Sequence, residues 1–548
     1  MWLARKRAGA ASAESTADVK QPRVLSRRHT PVGAPPLAAL DASLFKAGAE
    51  DSCLDGFVRS GIYSLVVAAG RPGGDRSLRV ASFCTGSASD FVALDSIAKH
   101  CRTQGIRLDF DWQFFVEINQ AKRAWISKVL AAKRACACIF DDATKVATNK
   151  RKCFVHDDAC DIPDTLDLLI GGFSCKDFSR ARTSQRQQGA SALSSAVSPG
   201  GTAQTFWGII DFIKLCSVEI VILENVDDIT DKLHDKGYNE IMSALGQMNY
   251  DVHTWVMNAA DYGLPQSRTR AFIVGITRPS TKYCIPNYGA LMVSITKYLK
   301  MVVIEPPSLE EILLDESDPL VRNELRRLLA KGEPKGFDQS TLITHCSQWQ
   351  KLGLRMNMIR PRSQTTESNW FQTLCSRERD IIAYRQHVVG GKKAKGEFTN
   401  EQRARLMGTD VNNSISMPAG TTLAASGECV LAPTVMPSMK FWLSILPLTT
   451  IKETELEARD RLMLGYESML LQGWPVNHVD FDEIARGESN HFLQDLSGNA
   501  LPSTCLAALV LSITFALIDN DVEVASCSSA DVKDAVKLLT RSTARSSS

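Results

Sequence analysis

The segment Asp167-Leu168-Leu169-Ile170-Gly171-Gly172-Phe173-Ser174-Cys175-Lys176-Asp177-Phe178-Ser179 runs from an apolar stretch into a glycine turn that presents a single thiol. A thiolate is a strong nucleophile, and cationic neighbours such as Lys176 and Arg180 favour the ionised form. The plainer reading of Cys175 is a buried structural cysteine, the commoner fate of this residue type. In Val221-Ile222-Leu223-Glu224-Asn225-Val226 a carboxylate closes an apolar run, a costly position unless Glu224 has a partner or a task. Glu224 suits hydrogen bonding to a ring nitrogen, Asn225 suits holding a loop, and a Glu–Arg pair is the alternative. Arg268 and Arg270 alternate on an extended stretch and so share a face, which fits an oxyanion, phosphate or carbonyl site as well as a salt-bridged sheet edge. Phe83-Cys84-Thr85-Gly86-Ser87-Ala88-Ser89 forms a small-residue turn after another apolar run, and Glu117 closes the next run. Such a turn lets a ligand approach backbone and helix N-terminus, and an acid at the neighbouring strand end can bond ribose hydroxyls. An ordinary tight turn and a solvated Glu are the alternatives.

The elements that must position these groups are legible as alternation. Apolar runs at Leu78–Phe83, Trp112–Ile118, Cys136–Phe140, Leu166–Ile170, Glu219–Leu223, Val252–Met257 and Ala271–Ile276 are mostly separated by helix-compatible stretches: Asp90–Cys101, Ala121–Ala132, Phe206–Leu215 and Gly237–Gln247. Continuous apolar strands alternating with helices predict an α/β sheet buried on both faces. The last two runs are joined by a short loop, which predicts an antiparallel pair. Residues 277–455 break the alternation and read as a separate inserted domain. The helical pattern returns at Arg461–Leu471 and Ser503–Leu517.

Composition limits the function classes. The 548 residues are 44% hydrophobic and 23% charged, values of a globular chain rather than a fibrous or wholly disordered one. Sixty-three basic against 61 acidic residues give +2, so any nucleic-acid surface must be a local patch. Residues 351–400 hold such a patch, net +6, with Lys392, Lys393 and Lys395 clustered in it. Residues 1–40 carry +5 and read as a disordered basic arm, compatible with a nuclear signal, an organelle transit peptide or a plain leader. The longest nearly apolar run, Cys505–Ile518, is too short for the roughly 20 residues of a membrane span. Fifteen cysteines without a Cys-x-x-Cys pair fit free thiols in a reducing compartment. Cys153, His156 and Cys160 loosely match a zinc half-site, but the usual second pair is missing, so no metal is expected.

Taken in order, these motifs closely resemble the cytosine-C5 DNA methyltransferase family: a Phe-Gly turn, a ribose Glu, a Pro-Cys loop, Glu-Asn-Val and Gln-x-Arg-x-Arg, here Gln266-Ser267-Arg268-Thr269-Arg270. The closing Gly-Asn motif is Gly498-Asn499. Gly201-Thr202 and Leu471-Gln472-Gly473-Trp474-Pro475 also match, and the resemblance covers about residues 78–276 and 456–518. Two motifs depart from the family. Its Pro-Pro-Cys-Gln is Phe173-Ser174-Cys175-Lys176 here, and its Phe-x-Gly-x-Gly keeps one glycine.

The resemblance implies a Rossmann-like class I methyltransferase fold with a mostly parallel seven-stranded sheet and a smaller, mixed target-recognition domain. It implies methyl transfer from S-adenosylmethionine to cytosine carbon 5 in duplex DNA. Cys175 would be the nucleophile at carbon 6. Glu224 would hold the ring at N3 and the amino group, Arg270 the carbonyl oxygen, with Arg268 beside Cys175 and Asn225 bracing the loop. Phe83, Gly86, Glu117, Asp142 and Asn499 would hold the co-substrate, with Asp158 a poorer match than Asp142 for the adenine-side acid. The target base would be flipped from the duplex, and the nucleus is the implied compartment. The domain expectation is an arm and lead-in at 1–76, a catalytic core at 77–276, a target-recognition region at 277–455, a returning catalytic part at 456–520 and a tail at 521–548. A tRNA cytosine-C5 methyltransferase, a catalytically inactive DNA-binding relative and a different Rossmann-type enzyme are the alternatives. The family-typical Cys-Phe-Thr triplet of the tRNA enzymes is not found, intact Cys175, Glu224 and Arg270 oppose the second, and the single-Gly turn with its loop thiol opposes the third.

Overall fold

The computed structural model describes residues 52–69, 75–84, 86–148, 151–156, 160–178, 193, 201–283, 285–332, 369–375, 377–379, 381–382, 385, 408–412, 420–443, 461–476 and 478–526. The basic arm, Thr85, Asp158, Arg180, the lysine cluster at 392–395 and the end of the tail lie outside these residues.

Seven strands form one sheet: β1 (Asp75–Phe83), β2 (Arg107–Val116), β3 (Cys138–Phe140), β4 (Thr165–Gly171), β5 (Ser217–Val226), β6 (Tyr250–Asn258) and β7 (Thr269–Thr277). Their spatial order is β3-β2-β1-β4-β5-β7-β6. The first five run parallel, and β7 is antiparallel to both β5 and β6. This is the Rossmann-like, mostly parallel architecture with smaller sheets beside it. Side chains alternate between the faces, so Val80 joins one apolar core while Ala81 and Phe83 join the other. Both faces are therefore covered, and the central strands read as largely apolar runs.

Helices α1 (Cys53–Ala69), α2 (Ser89–Thr103), α3 (Gln120–Ala132), α4 (Ala143–Val146), α5 (Thr202–Leu215), α6 (Asp235–Gln247), α7 (Tyr288–Met301) and α8 (Ser503–Ser526) surround the sheet. Apolar residues of α1, α2, α3, α7 and α8 share the core on one face, and those of α4, α5 and α6 the core on the other. Asn119 caps α3 by accepting hydrogen bonds from the Ala121 and Lys122 N–H groups.

Two sequence expectations are corrected by the packing. The lead-in before residue 77 contains α1, whose Leu54, Phe57, Val58, Ile62 and Leu65 are fully buried. The boundary at 277 falls too early, because α7 packs on α1 and α8 with Leu291 and Ile295 in the same core. Strand β1 is central in the sheet and offers helix α8 no edge to pack on. Instead α8 lies in the helical layer against α1, α2 and α7, which accounts for its apolar composition on every side.

The chain after residue 460 is tied back to the first strand's turn. Trp474 is fully buried and donates from Nε1 to Ser89 Oγ at 3.0 Å, while its ring lies 5.4 Å from that of Trp125. Trp125 in turn donates to the Ser87 carbonyl at 2.9 Å. Ahead of this, Arg461 opens a short strand rather than a helix, and its fully buried guanidinium pairs with Glu467 at 2.7 Å and Glu316 at 2.8 Å.

Candidate active site

Strand register gathers the candidate residues. Phe83 lies opposite Gly171, Gly171 opposite Leu223, and Val226 opposite Arg270. The carboxyl ends of β1, β4 and β5 and the amino end of β7 thus meet at one edge. The strand order reverses between β1 and β4, and open α/β sheets bind ligands at such a switch point. A cavity of about 360 Å³ opens there. Gly86, Glu117, Asp142, Cys175, Glu224, Arg268, Arg270 and Asn499 all line it.

At the β1 end the turn is tightly folded, with left-handed backbone at Cys84, Gly86 and Ala88 (φ 58°, 56° and 61°). Glycine meets this demand without strain; Cys84 and Ala88 adopt it at a cost that is common where a backbone is shaped for a ligand. Glu117 fixes the turn, its Oε2 accepting from Gly86 N–H at 2.9 Å and its Oε1 from Asn119 N–H at 2.8 Å. Burial raises the Glu117 carboxyl above its ordinary range against these bonds and the Lys122 charge. Asp142 caps α4 and stays acidic: burial opposes ionisation, but bonds from Thr144 and the Lys145 charge outweigh it. Phe83 departs from its expected place. Its ring is fully buried among Phe114 and Phe212, and it is the adjoining Cys84 that reaches the cavity.

The thiol loop lacks stiffening prolines, and hydrogen bonds brace it instead. Asn225 Nδ2 donates to the Phe173 carbonyl at 3.0 Å. Ser174 N–H donates to Thr205 Oγ1 at 3.1 Å, and Asp177 N–H to Thr202 Oγ1 at 3.2 Å. Thr205 has no distinguishing motif of its own, so its part is visible only in three dimensions. Glu224 is paired with Arg270, Oε1 to Nε at 3.0 Å. Burial drives the Glu224 carboxyl up, while Arg270 and Arg268 pull it down.

Burial and the Glu224 charge push the Cys175 thiol above its ordinary value, and Arg270 and Arg268 act in the opposite sense. Glu224→Gln therefore has two opposite consequences. The Cys175 pKa falls, so at a fixed pH near 8 its alkylation by iodoacetamide, followed on the Cys175 peptide by mass spectrometry, speeds up several-fold. Any methyl transfer that needs the carboxyl falls by about 10²-fold or more. Slower alkylation in Glu224→Gln would contradict this electrostatic arrangement.

Arg268 lines the cavity with the thiol, whose ionisation its charge favours, and it has a structural task as well. It is buried and ties chain segments together, donating to the carbonyls of Val435 at 2.9 Å, Ala500 at 2.6 Å and Gly498 at 3.3 Å. Burial and the neighbouring Arg270 charge push its pKa down to about 9, which leaves it charged at neutral pH. Gly498 sits so close to the Met436–Pro437 backbone that a Cβ would lie 2.1 Å from Pro437 N. Asn499 lines the cavity with its Nδ2 donating back to Asp495 at 2.8 and 2.9 Å. The same Asp495 pairs with Lys122 at 2.9 Å, which closes this end of the cavity against α3.

The zinc half-site of the sequence also changes. Cys153, His156 and Cys160 are joined by Cys138 of β3, a fourth candidate ligand that linear spacing does not pair with them.

A model of the C-5 cytosine-specific DNA methylase family matches residues 103–440. The DNA (cytosine-5-)-methyltransferase DMT5 of Cryptococcus neoformans var. grubii is 25% identical over 459 residues, 80% of this chain but 17% of that protein. The Type II methyltransferase M1.ScrFI of Lactococcus lactis subsp. cremoris is 38% identical over 134 residues, 24% of this chain and 30% of that protein. The chain thus spans less than a third of the length of either relative. Among solved structures, the S. pombe Dnmt2 methyltransferase is 12% identical, with 80% of this chain and 98% of that chain covered and a TM-score of 0.36.

Proposed function

This chain belongs to the C-5 cytosine-specific DNA methylase family, and from that premise we propose that it transfers a methyl group from S-adenosylmethionine to carbon 5 of cytosine in duplex DNA. The observation that carries this reading is one cavity holding a loop thiol, a buried Glu–Arg pair and two acids on the adjoining strand ends. The donor set fits the co-substrate: a left-handed turn with close backbone approach, Glu117 for hydroxyls, and Asp142 further along the same wall. When bound, S-adenosylmethionine supplies an electrophilic methyl group.

Cys175 adds to carbon 6 of the base, and the ring electrons that this displaces make carbon 5 nucleophilic. Glu224 holds N3 and the exocyclic amino group, and the buried Arg270 keeps that carboxyl in place and faces the base carbonyl. Carbon 5 takes the methyl group as the methyl–sulfur bond breaks; its proton then passes to water, the carbon 5–carbon 6 double bond re-forms, and the Cys175–carbon 6 bond breaks to return the thiolate. Asn225 holds the loop through the Phe173 carbonyl. Because base carbon 6 is stacked inside a duplex, the target must be flipped into the cavity. Residues between α7 and Arg461, with the +6 segment among them, are the part of the chain assigned to target recognition. The nucleus is the compartment that this substrate implies.

The test is transfer of labelled methyl from S-adenosylmethionine to duplex DNA and to tRNA in parallel, with the full chain. Label recovered as 5-methylcytosine in DNA is the expected result. Label confined to tRNA would assign an RNA substrate, and label in neither would overturn the activity.

A further inference from the structure

We propose that Cys138, Cys153, His156 and Cys160 bind one structural zinc ion that pins the short edge strand of the sheet. The four ligand atoms lie within 4.8 Å of one another. His156 Nδ1 is 3.6 Å from Cys138 Sγ, 3.3 Å from Cys153 Sγ and 3.2 Å from Cys160 Sγ. Zinc–sulfur and zinc–nitrogen bonds of about 2.3 and 2.1 Å in a tetrahedron place neighbouring ligand atoms roughly 3.3–3.8 Å apart. The observed spacings fall close to that range.

Hydrogen bonding to the imidazole does not account for the convergence. A ring nitrogen carries one proton or one lone pair, so it serves one sulfur well and cannot serve three. No disulfide joins the cysteines. A cation at the centre satisfies all four atoms together, and three sulfurs with one imidazole are a donor set that selects zinc. Four protein ligands leave no open coordination position, which makes the site structural rather than catalytic.

The position in the fold supplies the reason for a metal. β3 is three residues long and forms the edge of the seven-stranded sheet. The ligand-bearing segment lies along it: Cys153 bridges Phe140 in antiparallel fashion, and Phe154 N–H donates to the Ile139 carbonyl at 2.7 Å. An edge this short gains little from its own ladder, and a metal clip both covers and holds it. Asp142 follows β3 by two residues and lines the cavity. On the other side Arg123 stacks 5.6 Å over Phe154 and donates to the Glu117 carbonyl at 2.9 Å. The ion therefore holds the ends of β2 and β3, where two cavity acids are set.

The site is independent of the methylation reading and is tested without activity. The full chain, purified with reductant and dialysed against metal-free buffer, should carry one zinc ion per chain by plasma mass spectrometry. Cobalt exchange should give thiolate charge-transfer and intense d–d absorption of a tetrahedral sulfur-rich site. The Cys138→Ser/Cys160→Ser double variant should lose zinc at least ten-fold, whereas His156→Cys should keep it. Should the double variant fail to fold, iodoacetamide mapping of the wild-type chain remains decisive: Cys153 and Cys160 should be protected, and a chelator should expose them. Absence of zinc together with absence of cobalt bands, retention of zinc in the folded double variant, or a Cys153–Cys160 disulfide in the reduced preparation would each overturn the proposal.

Discussion

Cys175→Ser should abolish methyl transfer while the chain remains folded and still binds S-adenosylmethionine. A hydroxyl is far less ionised than a thiol, and even the thiol starts above its ordinary pKa through burial and the Glu224 charge. Arg270, Arg268 and a backbone hydrogen bond act in its favour, and they cannot ionise an alcohol near neutral pH. The expected loss is on the order of 10³-fold or more, as when the nucleophile is removed from enzymes of covalent mechanism. The fold should tolerate the change, because the loop is held by Asn225, Thr202 and Thr205 rather than by the thiol. A duplex carrying 5-fluorocytosine should trap the wild-type chain covalently, since fluorine at carbon 5 does not leave as a proton does, and should leave Cys175→Ser untrapped. Near wild-type turnover in Cys175→Ser would remove the thiol from the mechanism.

Much of the scaffold is legible in sequence because both faces of the sheet are buried. β4 and β5 read as largely apolar runs despite Asp167 and Glu219, and the short loop between β6 and β7 gives away their antiparallel pairing. β2 is longer than its apolar run suggests, because its first half alternates exposed and buried residues through Arg107, Asp109 and Asp111. Helix α1 was missed since no strand precedes it to mark an alternation, and α7 because it follows the last strand and joins a core built mainly from distant residues. Chain position is also a poor guide to what a side chain touches. Cys138 meets Cys153, His156 and Cys160 only because the 153–154 segment runs along β3. Phe83 carries the expected motif but turns its ring to the core, as the strict alternation along β1 demands.

Arg268 and Arg270 show the same limit and yield the second large effect. Alternation puts both at the cavity, yet one pairs with Glu224 while the other clamps three carbonyls. Arg268→Met should therefore unfold more readily than Arg270→Met. Losing Arg268 strands the Val435, Gly498 and Ala500 carbonyls in a buried place, and they have no means of relieving the deficit. The cost is about 3–5 kcal/mol, as for other broken buried charge contacts. Losing Arg270 strands the Glu224 carboxylate and removes one bond to the adjoining Thr269 carbonyl. Burial already raises that carboxyl's pKa, and without the Arg270 charge it rises further, so the group takes up a proton and sheds its charge. Thermal melts should place Arg268→Met roughly 6 °C or more below wild type, with weakened S-adenosylmethionine binding as the Gly498–Ala500 turn comes loose. Arg270→Met should melt close to wild type and lose turnover instead. A melting temperature unchanged in Arg268→Met, with activity gone, would return Arg268 to the chemistry that its place in the sequence pattern first suggested.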